Sequence, residues 1–312
     1  MCKTCPFFGI CGGCKYDFTA PDYHDKKLAE LRNINITEPP IWIAPGTRRR
    51  ADFCFGGGRF GFYKMHSKDI IPIDACPLLC DEINAIIPHL RAIPFDGAGS
   101  CLVTLCDNGV DVAITSNVTY FSAEMRGAVN NLPVIRVSWN GNAIQARATP
   151  RVSFGTHSVE YPIGAFLQPT IPGADALRDM VVRASHGAQH IADLFCGLGN
   201  FTFATNADGF DIVGPHIRRD LFRQPVTRKM LNQYDCVIMD PPRAGADAQC
   251  RELAHANVPR VIYVSCNPQT FIRDTEILTR AGYRTQSITP VDQFVGSRHW
   301  EICAVFGLHI DD

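Results

Sequence analysis

The period of apolar and polar positions changes partway along this chain. From about Thr47 to Phe154 short β-rich runs recur: RFGFYK, CLVTLC, VDVAIT and VIRVSW, separated by the turn signals GGG, DNG and NGN. DEINAIIPHL adds a short helix among them. Before them, DYHDKKLAELRNI puts Leu28, Leu31 and Ile34 on one helical face, and EPPIW ends that helix. From about Ile163 the strands become apolar throughout. HIADLF runs into a glycine-rich turn, YDCVIMD into a double proline, and RVIYVS into CNP. Helical patterns such as PQTFIRDTEILTRAG separate or follow them. Strands alternating with helices predict a parallel α/β sheet, with ligands outside the C-terminal strand ends. The expected division is a cysteine-bearing segment at 1–20, an α+β module at 21–160 and an α/β domain at 161–312.

All three motifs with chemical promise sit at such strand ends. In DLFCGLGNF an acidic residue, Asp193, ends the strand, and Gly197 and Gly199 allow a tight turn under a ligand. The loop has neither the G-x-G-x-x-G spacing nor a P-loop lysine, so S-adenosylmethionine (SAM) suits it better than a nucleoside triphosphate. In MDPPRAG, Asp240 leaves a strand whose exit two prolines stiffen. A carboxylate there can accept from an amide-like N–H such as N3–H of uracil; the plain alternative is a helix N-cap. In SCNP, Cys266 follows the next strand, and RHWE brings Glu301 near the C-terminus. A thiol and a carboxylate are what carbon methylation of a pyrimidine needs: thiolate addition at C6 activates C5, and a base later removes the C5 proton. Taken alone, Cys266 reads equally as a core cysteine.

Composition narrows the setting. The 312 residues, 46% hydrophobic, can bury the cores of two or three modest domains. A net charge of −1 means that a nucleic-acid partner needs a local basic patch, for which Arg48, Arg49 and Arg50 are candidates, with Arg218 and Arg219 far downstream. No apolar run reaches about 18 residues, so no membrane span is expected. The N-terminus lacks a signal-peptide pattern, so a reducing, cytoplasmic setting is expected. There, 14 cysteines point to metal or catalysis rather than disulfides. Cys5, Cys11 and Cys14 follow a C-x5-C-x2-C spacing around Gly12 and Gly13. Cys76 is the expected fourth ligand, with Cys80 the alternative, for a 4Fe-4S cluster or a four-thiolate zinc site. Cys2 is expected to be an unligated thiol.

Together, CPFFGICGGC, GFYKMHSKDIIPIDACPLL, GAFLQPT, ADLFCGLGNF, DPPRAGA, VSCNPQTFIRD and TPVDQFVGSRHWE resemble, in order and over most of the chain, the SAM-dependent RNA uridine-5-methyltransferases. The closest likeness is to the bacterial 23S ribosomal RNA branch that carries an iron–sulfur cluster. The resemblance implies a Rossmann-like SAM-dependent methyltransferase domain preceded by a small iron–sulfur-bound α+β module, acting as a monomer. It implies Cys266 as nucleophile and Glu301 as base. It implies Gln168, Asp193, Phe195, Gly197, Gly199, Asn200, Asp220 and Asp240 around the cofactor and target base. Cys5, Cys11, Cys14 and Cys76 would bind the 4Fe-4S cluster, and Phe166 would stack on a flipped uracil. The partner would be RNA, ribosomal rather than transfer.

The sequence departs from the family pattern in three places. An RNA-binding β-barrel of the TRAM type is not expected before the cysteine motif, so RNA affinity is expected to rest on the central module, with Arg48, Arg49 and Arg50 as phosphate contacts. Thr170 stands where many relatives have Asn. Only 18 residues separate Phe201 from Asp220, about half of what a helix, strand, helix and strand need. HIRRDLF reads as the third strand of the domain. The second strand, with the acidic residue that would hold the cofactor ribose, is expected to be missing, and Asp208 and Asp211 are the substitutes available. The competing expectation is therefore a non-catalytic RNA-binding protein with an impaired SAM site; a redox iron–sulfur protein unrelated to RNA is a third.

Overall fold

The computed structural model describes residues 5–308, so Cys2 lies outside the described residues. The chain divides into two compact units, one of residues 1–27, 44–171 and 295–298, the other of residues 28–43, 172–294 and 299–312.

Helix α1 (Tyr23–Leu28) follows the cysteine segment, and β1 (Ile41–Trp42) is a short strand of the second unit. The first unit is built on β2 (Arg50–Gly56), β3 (Arg59–Tyr63), β4 (Ile70–Pro72), β5 (Gly99–Cys106), β6 (Gly109–Ser116), β7 (Arg136–Trp139) and β8 (Asn142–Ala146). They form one sheet in the order β4-β3-β2-β5-β6-β7-β8. All its pairs are antiparallel except β6–β7, whose crossover is helix α3 (Ala123–Asn130). Ser122 caps α3 by accepting from Met125 N–H. The core packs Phe53, Val103 and Val112 of the strands against Ile83, Ile87 and Leu90 of α2 (Asp81–Arg91) and Met125 and Val129 of α3. A hairpin of β9 (Arg151–Phe154) and β10 (His157–Glu160) completes this unit.

The second unit begins with α4 (Ile171–Ser185) and β11 (Ile191–Leu194), followed by α5 (Thr202–Thr205), β12 (Asp208–Asp211) and β13 (Ile217–Arg218). Then come α6 (Arg228–Leu231), β14 (Cys236–Met239), α7 (Asp247–Leu253), β15 (Arg260–Ser265), α8 (Pro268–Arg280), β16 (Tyr283–Asp292) and β17 (Glu301–Leu308). The sheet order is β1-β16-β17-β15-β14-β11-β12-β13. It is parallel from β15 through β13, and β17 runs antiparallel to both its neighbours. The central strands are apolar throughout because both faces are covered. Val237, Met239, Val261 and Tyr263 pack on one face with Phe271 and Leu278 of α8; Cys236, Ile238, Ile262 and Val264 pack on the other with Leu177 and Val181 of α4. Among the described residues, no helix is long and apolar enough to cross a membrane.

The expected loss of the second strand is corrected here. Asp208–Asp211 is that strand, parallel to β11 with Asp193 opposite Gly209, and Ile217–Arg218 is the third, parallel to β12. What the short segment lacks is helix. α5 is a single turn, and residues 212–216 alone carry the chain from β12 to β13. A parallel crossover ordinarily takes a dozen residues or more. Five suffice because β13 has two residues and starts beside the end of β12, Ile217 opposite Phe210, so the chain never travels back along the sheet.

Candidate functional site

Cys266 directly follows β15, and Glu301 opens β17. The last pair between these strands is Ser265 with Ile302; one step further, Cys266 and Glu301 take facing positions. Asp240 directly follows β14, its N–H donating to the Leu194 carbonyl at 3.2 Å. Burial, then the carboxylates of Glu301 and Asp240, push the Cys266 thiol up to about 12, while the Arg243 guanidinium draws it down. Glu301 is fully buried, so desolvation holds its carboxyl well above the usual carboxylate range, against a 2.7 Å hydrogen bond from Gln293 Nε2. Helix α8 begins two residues past Cys266, with Pro268 in its first turn and Asn267 capping the Gln269 N–H. Its N-terminal dipole favours a thiolate at that point.

The loop after β11 has a different character. Phe195 is held at φ 62, Gly197 at 56 and Gly199 at 102, alternate positive-φ positions that cost glycine little and strain Phe195. Asp193 does not end the strand as expected but lies within β11, one residue before its last, and its carboxylate is fully buried. Oδ2 accepts from Thr202 Oγ1 at 2.6 Å, while Oδ1 has no partner among the described residues. Burial pushes this carboxyl up to about 7. Asn200 Oδ1 accepts from Arg178 Nη1 at 3.4 Å, and its Nδ2 is buried without a partner among the described residues. Asp211, at the end of β12, accepts from Gly197 N–H at 2.9 Å and Val213 N–H at 3.0 Å. Asp220 caps a turn by accepting from Phe222 and Arg223 N–H, and the Phe222 ring lies 5.4 Å from that of Phe195. An orphaned carboxylate oxygen near the end of β11 and an orphaned amide just past the glycine turn suit a cofactor that carries an ammonium and a carboxylate, as SAM does.

The remaining candidates lie in the first unit. Arg49 is buried and donates through Nε to the Gln168 carbonyl at 3.3 Å; Arg48 donates to the Arg50 carbonyl at 3.0 Å. Arg50 reaches the Gly164 carbonyl and lies 5.5 Å over the ring of Phe166, which is 59% exposed. The arginine triplet therefore braces the segment carrying Phe166 and Gln168, and Arg48 and Arg49 do not stand out as a solvated phosphate-binding run. The same segment is held from β7, where Arg136 pairs with buried Asp111 at 2.6 Å and donates to the Tyr161 carbonyl at 3.0 Å. The four candidate thiols, Cys5, Cys11, Cys14 and Cys76, belong to the same unit. Burial raises Cys11 and Cys76, and the charge of Cys5 raises both further; Cys14 and Cys76 both bear on Arg48. Cys80 is raised by burial and by Glu82 instead. Among the described residues, no group of three or more His, Cys, Asp or Glu side chains is arranged to hold a metal ion.

Sequence reasoning missed three side chains. Asp274 occupies the buried face of α8 with Phe271 and Leu278. It accepts from Ala246 N–H and Tyr263 Oη at 2.6 Å each, and from Arg273. A carboxylate in an apolar helical stripe was the available signal. His216 and Gln293 gave no comparable one.

The sheet order and the glycine loop after β11 define the class: a SAM-dependent methyltransferase. The profile of the tRNA (uracil-5-)-methyltransferase family matches residues 216–308. RNA methyltransferases of Brucella suis and Agrobacterium fabrum, themselves uncharacterised, are 34% and 33% identical; the alignments cover 97% and 95% of this chain and 83% and 82% of those proteins. The Brucella alignment spans 346 positions against 312 residues here, so that relative carries segments this chain lacks. A 23S rRNA (uracil(1939)-C(5))-methyltransferase of Salmonella typhi is 26% identical over 97% of this chain and 81% of its own. The Pyrococcus abyssi tRNA (uracil-54, C5)-methyltransferase, solved with S-adenosyl-L-homocysteine, superposes with a TM-score of 0.77 at 22% identity, covering 95% of this chain and 84% of that one. The chain belongs to the RNA (uracil-5-)-methyltransferase family.

Proposed function

We propose that the protein transfers a methyl group from SAM to C5 of a uridine in 23S ribosomal RNA, through a covalent adduct between Cys266 and C6 of the uracil. The facing positions of Cys266 and Glu301, with Asp240 at the adjacent strand end, carry this reading. Bound SAM supplies an electrophilic methyl group. Cys266 Sγ, as the thiolate, would add to C6 and turn C5 into a nucleophile; C5 would take the methyl group as S-adenosylhomocysteine departs; Glu301 would remove the C5 proton, and the C6–Sγ bond would then break with the electrons returning to Sγ. Each group is matched to its step. Burial of Glu301 makes it a stronger base than an exposed carboxylate, and Asp240 has the chemistry to accept the uracil N3–H. Arg243 and the N-terminus of α8 counter the burial that disfavours the Cys266 thiolate. Asp193 and Asn200 would hold the amino-acid end of the cofactor through their orphaned atoms, and Asp211 or Asp220 its ribose and adenine.

The ribosomal target is favoured by the Salmonella relative and by the cysteine motif. Cys5, Cys11, Cys14 and Cys76 would bind a 4Fe-4S cluster, with Cys76 preferred over Cys80 because only Cys76 feels the other thiols. The cluster would tie the N-terminal segment to the strand-rich module. The non-catalytic reading loses its motive, because β12 and its terminal Asp211 are present. The test is transfer of labelled methyl from SAM to unmodified RNA, read as 5-methyluridine by mass spectrometry beside Cys266→Ala. Label in wild type that vanishes in the variant supports the proposal; label that persists in the variant removes Cys266 from the mechanism.

A further inference from the structure

The crossover of residues 212–216 touches the cofactor loop at several points. A methyl group on Gly214 would lie 2.6 Å from the Gly197 carbonyl oxygen. A methyl group on Gly209, in β12, would lie 2.9 Å from both Cγ and Nδ1 of His216; one on Gly199 would lie 2.8 Å from His216 Nε2 and 2.5 Å from the Phe203 ring. The His216 ring thus fills a notch between β12 and the loop that exists only because these positions are glycine. Gly209 has an ordinary backbone conformation and needs no glycine for its φ, so its missing side chain serves the notch. The Phe203 ring, 5.4 Å away and tilted by 51°, closes one side, and the Leu198 backbone engages the imidazole. His216 Nε2 is buried without a partner among the described residues.

We propose that His216 is a positioning residue for the cofactor loop. Its imidazole takes the place of the absent crossover helix, as a wedge between β12 and Gly199 that holds the turn Gly197–Leu198–Gly199, with its two positive-φ glycines, in place under the cofactor. The loop is pinned on two sides. Asp211 Oδ2 holds the Gly197 N–H, and His216 fills the space behind Gly199. A one-turn α5 buries little of this face, so without the ring the loop would relax into the notch. The inference rests on SAM being the methyl donor.

The test is a double-mutant cycle on the full chain with its metal content intact, binding SAM and S-adenosylhomocysteine in a calorimeter. His216→Ala is expected to weaken SAM binding about tenfold and to raise KM for SAM while leaving kcat at saturating SAM within about twofold. Gly209→Ala pushes the same ring out of its notch and is expected to weaken binding comparably. In the double variant the added methyl enters vacated space, so its affinity should match that of His216→Ala rather than the product of the two losses. Additive losses, or a His216→Ala protein that binds SAM as wild type does, would overturn the proposal. So would an affinity loss matched by an equal loss of kcat and a large fall in melting temperature, which a merely structural ring would give. Should His216→Ala not fold, Gly209→Ala alone decides, through the KM-against-kcat split. Wild-type protein that takes up no SAM would sink the donor assignment itself, separately from the wedge.

Discussion

Asp274→Asn is expected to loosen the strand-end loops of both Asp240 and Cys266 at once. The carboxylate is fully buried. Its Oδ2 accepts from Ala246 N–H and Tyr263 Oη, each at 2.6 Å, and its Oδ1 accepts from Arg273 Nε and Nη2 at 2.8 and 2.6 Å. Through these bonds the loop after β14 is fastened to β15 and α8. The fastening continues from Arg273 Nη2 to the Ala244 carbonyl and from Asn267 Nδ2 to the Arg243 carbonyl. An asparagine has one acceptor oxygen for two sets of donors. With the oxygen toward Tyr263 and Ala246, two charge-assisted bonds become neutral, each weaker by about 0.5–1 kcal/mol, and Arg273 faces an NH2 group. Arg273 is 45% exposed and can turn to water, so its loss is near 1 kcal/mol. The total is about 2–3 kcal/mol, a fall of roughly 5–10 °C in melting temperature for a unit of this size. Because the loop carries Asp240 and its far end borders Cys266, kcat should fall while KM for SAM changes little. Thermal denaturation followed by circular dichroism, beside steady-state methyl transfer, is the assay. A melting temperature within about 1 °C of wild type, with kcat unchanged, would refute the claim that this carboxylate organises the two loops.

Three further outcomes are expected. Glu301→Gln removes the base but leaves the nucleophile, so methylated RNA should accumulate covalently on the protein as a band resistant to denaturation, which Cys266→Ala abolishes; turnover by Glu301→Gln would dismiss Glu301 as the base. Burial raises Asp193 to about 7; a carboxyl raised on folding contributes stability below its unfolded pKa and loses it as pH climbs through about 7. The apoprotein should therefore lose some stability over that window. A cationic donor prefers the ionised carboxylate, so SAM affinity should rise about tenfold from pH 6 to 8, and Asp193→Asn should flatten that slope in calorimetry. Cys76→Ser should lose the iron and the visible absorbance of anaerobically purified protein, while Cys80→Ser should keep both; the opposite pattern would reassign the fourth ligand.

The parts of this molecule set by short-range pattern were readable from the sequence. RVIYVSCNP announces an apolar strand and its end, and β15 stops at Ser265, one residue before Cys266. Asp240 follows the same logic, directly after β14, whereas Asp193 lies inside β11, with Leu194 still paired beyond it. What was not readable is pairing. Nothing local says that Glu301 starts a strand antiparallel to β15 whose register brings it opposite Cys266; that depends on β17 inserting between β15 and β16. Nor does TRRR say that Arg49 is buried against the Gln168 carbonyl. A basic run reads as solvated because exposed arginines are common, and only the fold supplies the backbone carbonyls that this one braces.

The segment after Phe201 shows how a sound length argument reached a wrong conclusion. Eighteen residues do not suffice for two full helices and two strands, and the structure agrees: α5 is cut to one turn and the crossover helix is lost. Strands are retained because their cost is different. β12 needs four residues to satisfy its backbone against β11, with Ala192, Asp193 and Leu194 opposite Asp208, Gly209 and Phe210, and a sheet that gives up this strand exposes the edge of its central strand. A helix that only covers a sheet face can be replaced by any group that fills the same volume. Here a five-residue crossover, one imidazole and three glycines do so over part of the face. The exposed Ile212, Val213 and Ile217 mark the part left uncovered. Asp211, the acidic residue that ends this strand, serves the fold: it pins Gly197 through one oxygen and caps the crossover at Val213 through the other. Shortening this region therefore removes covering helix before it removes the strand end on which the loop depends.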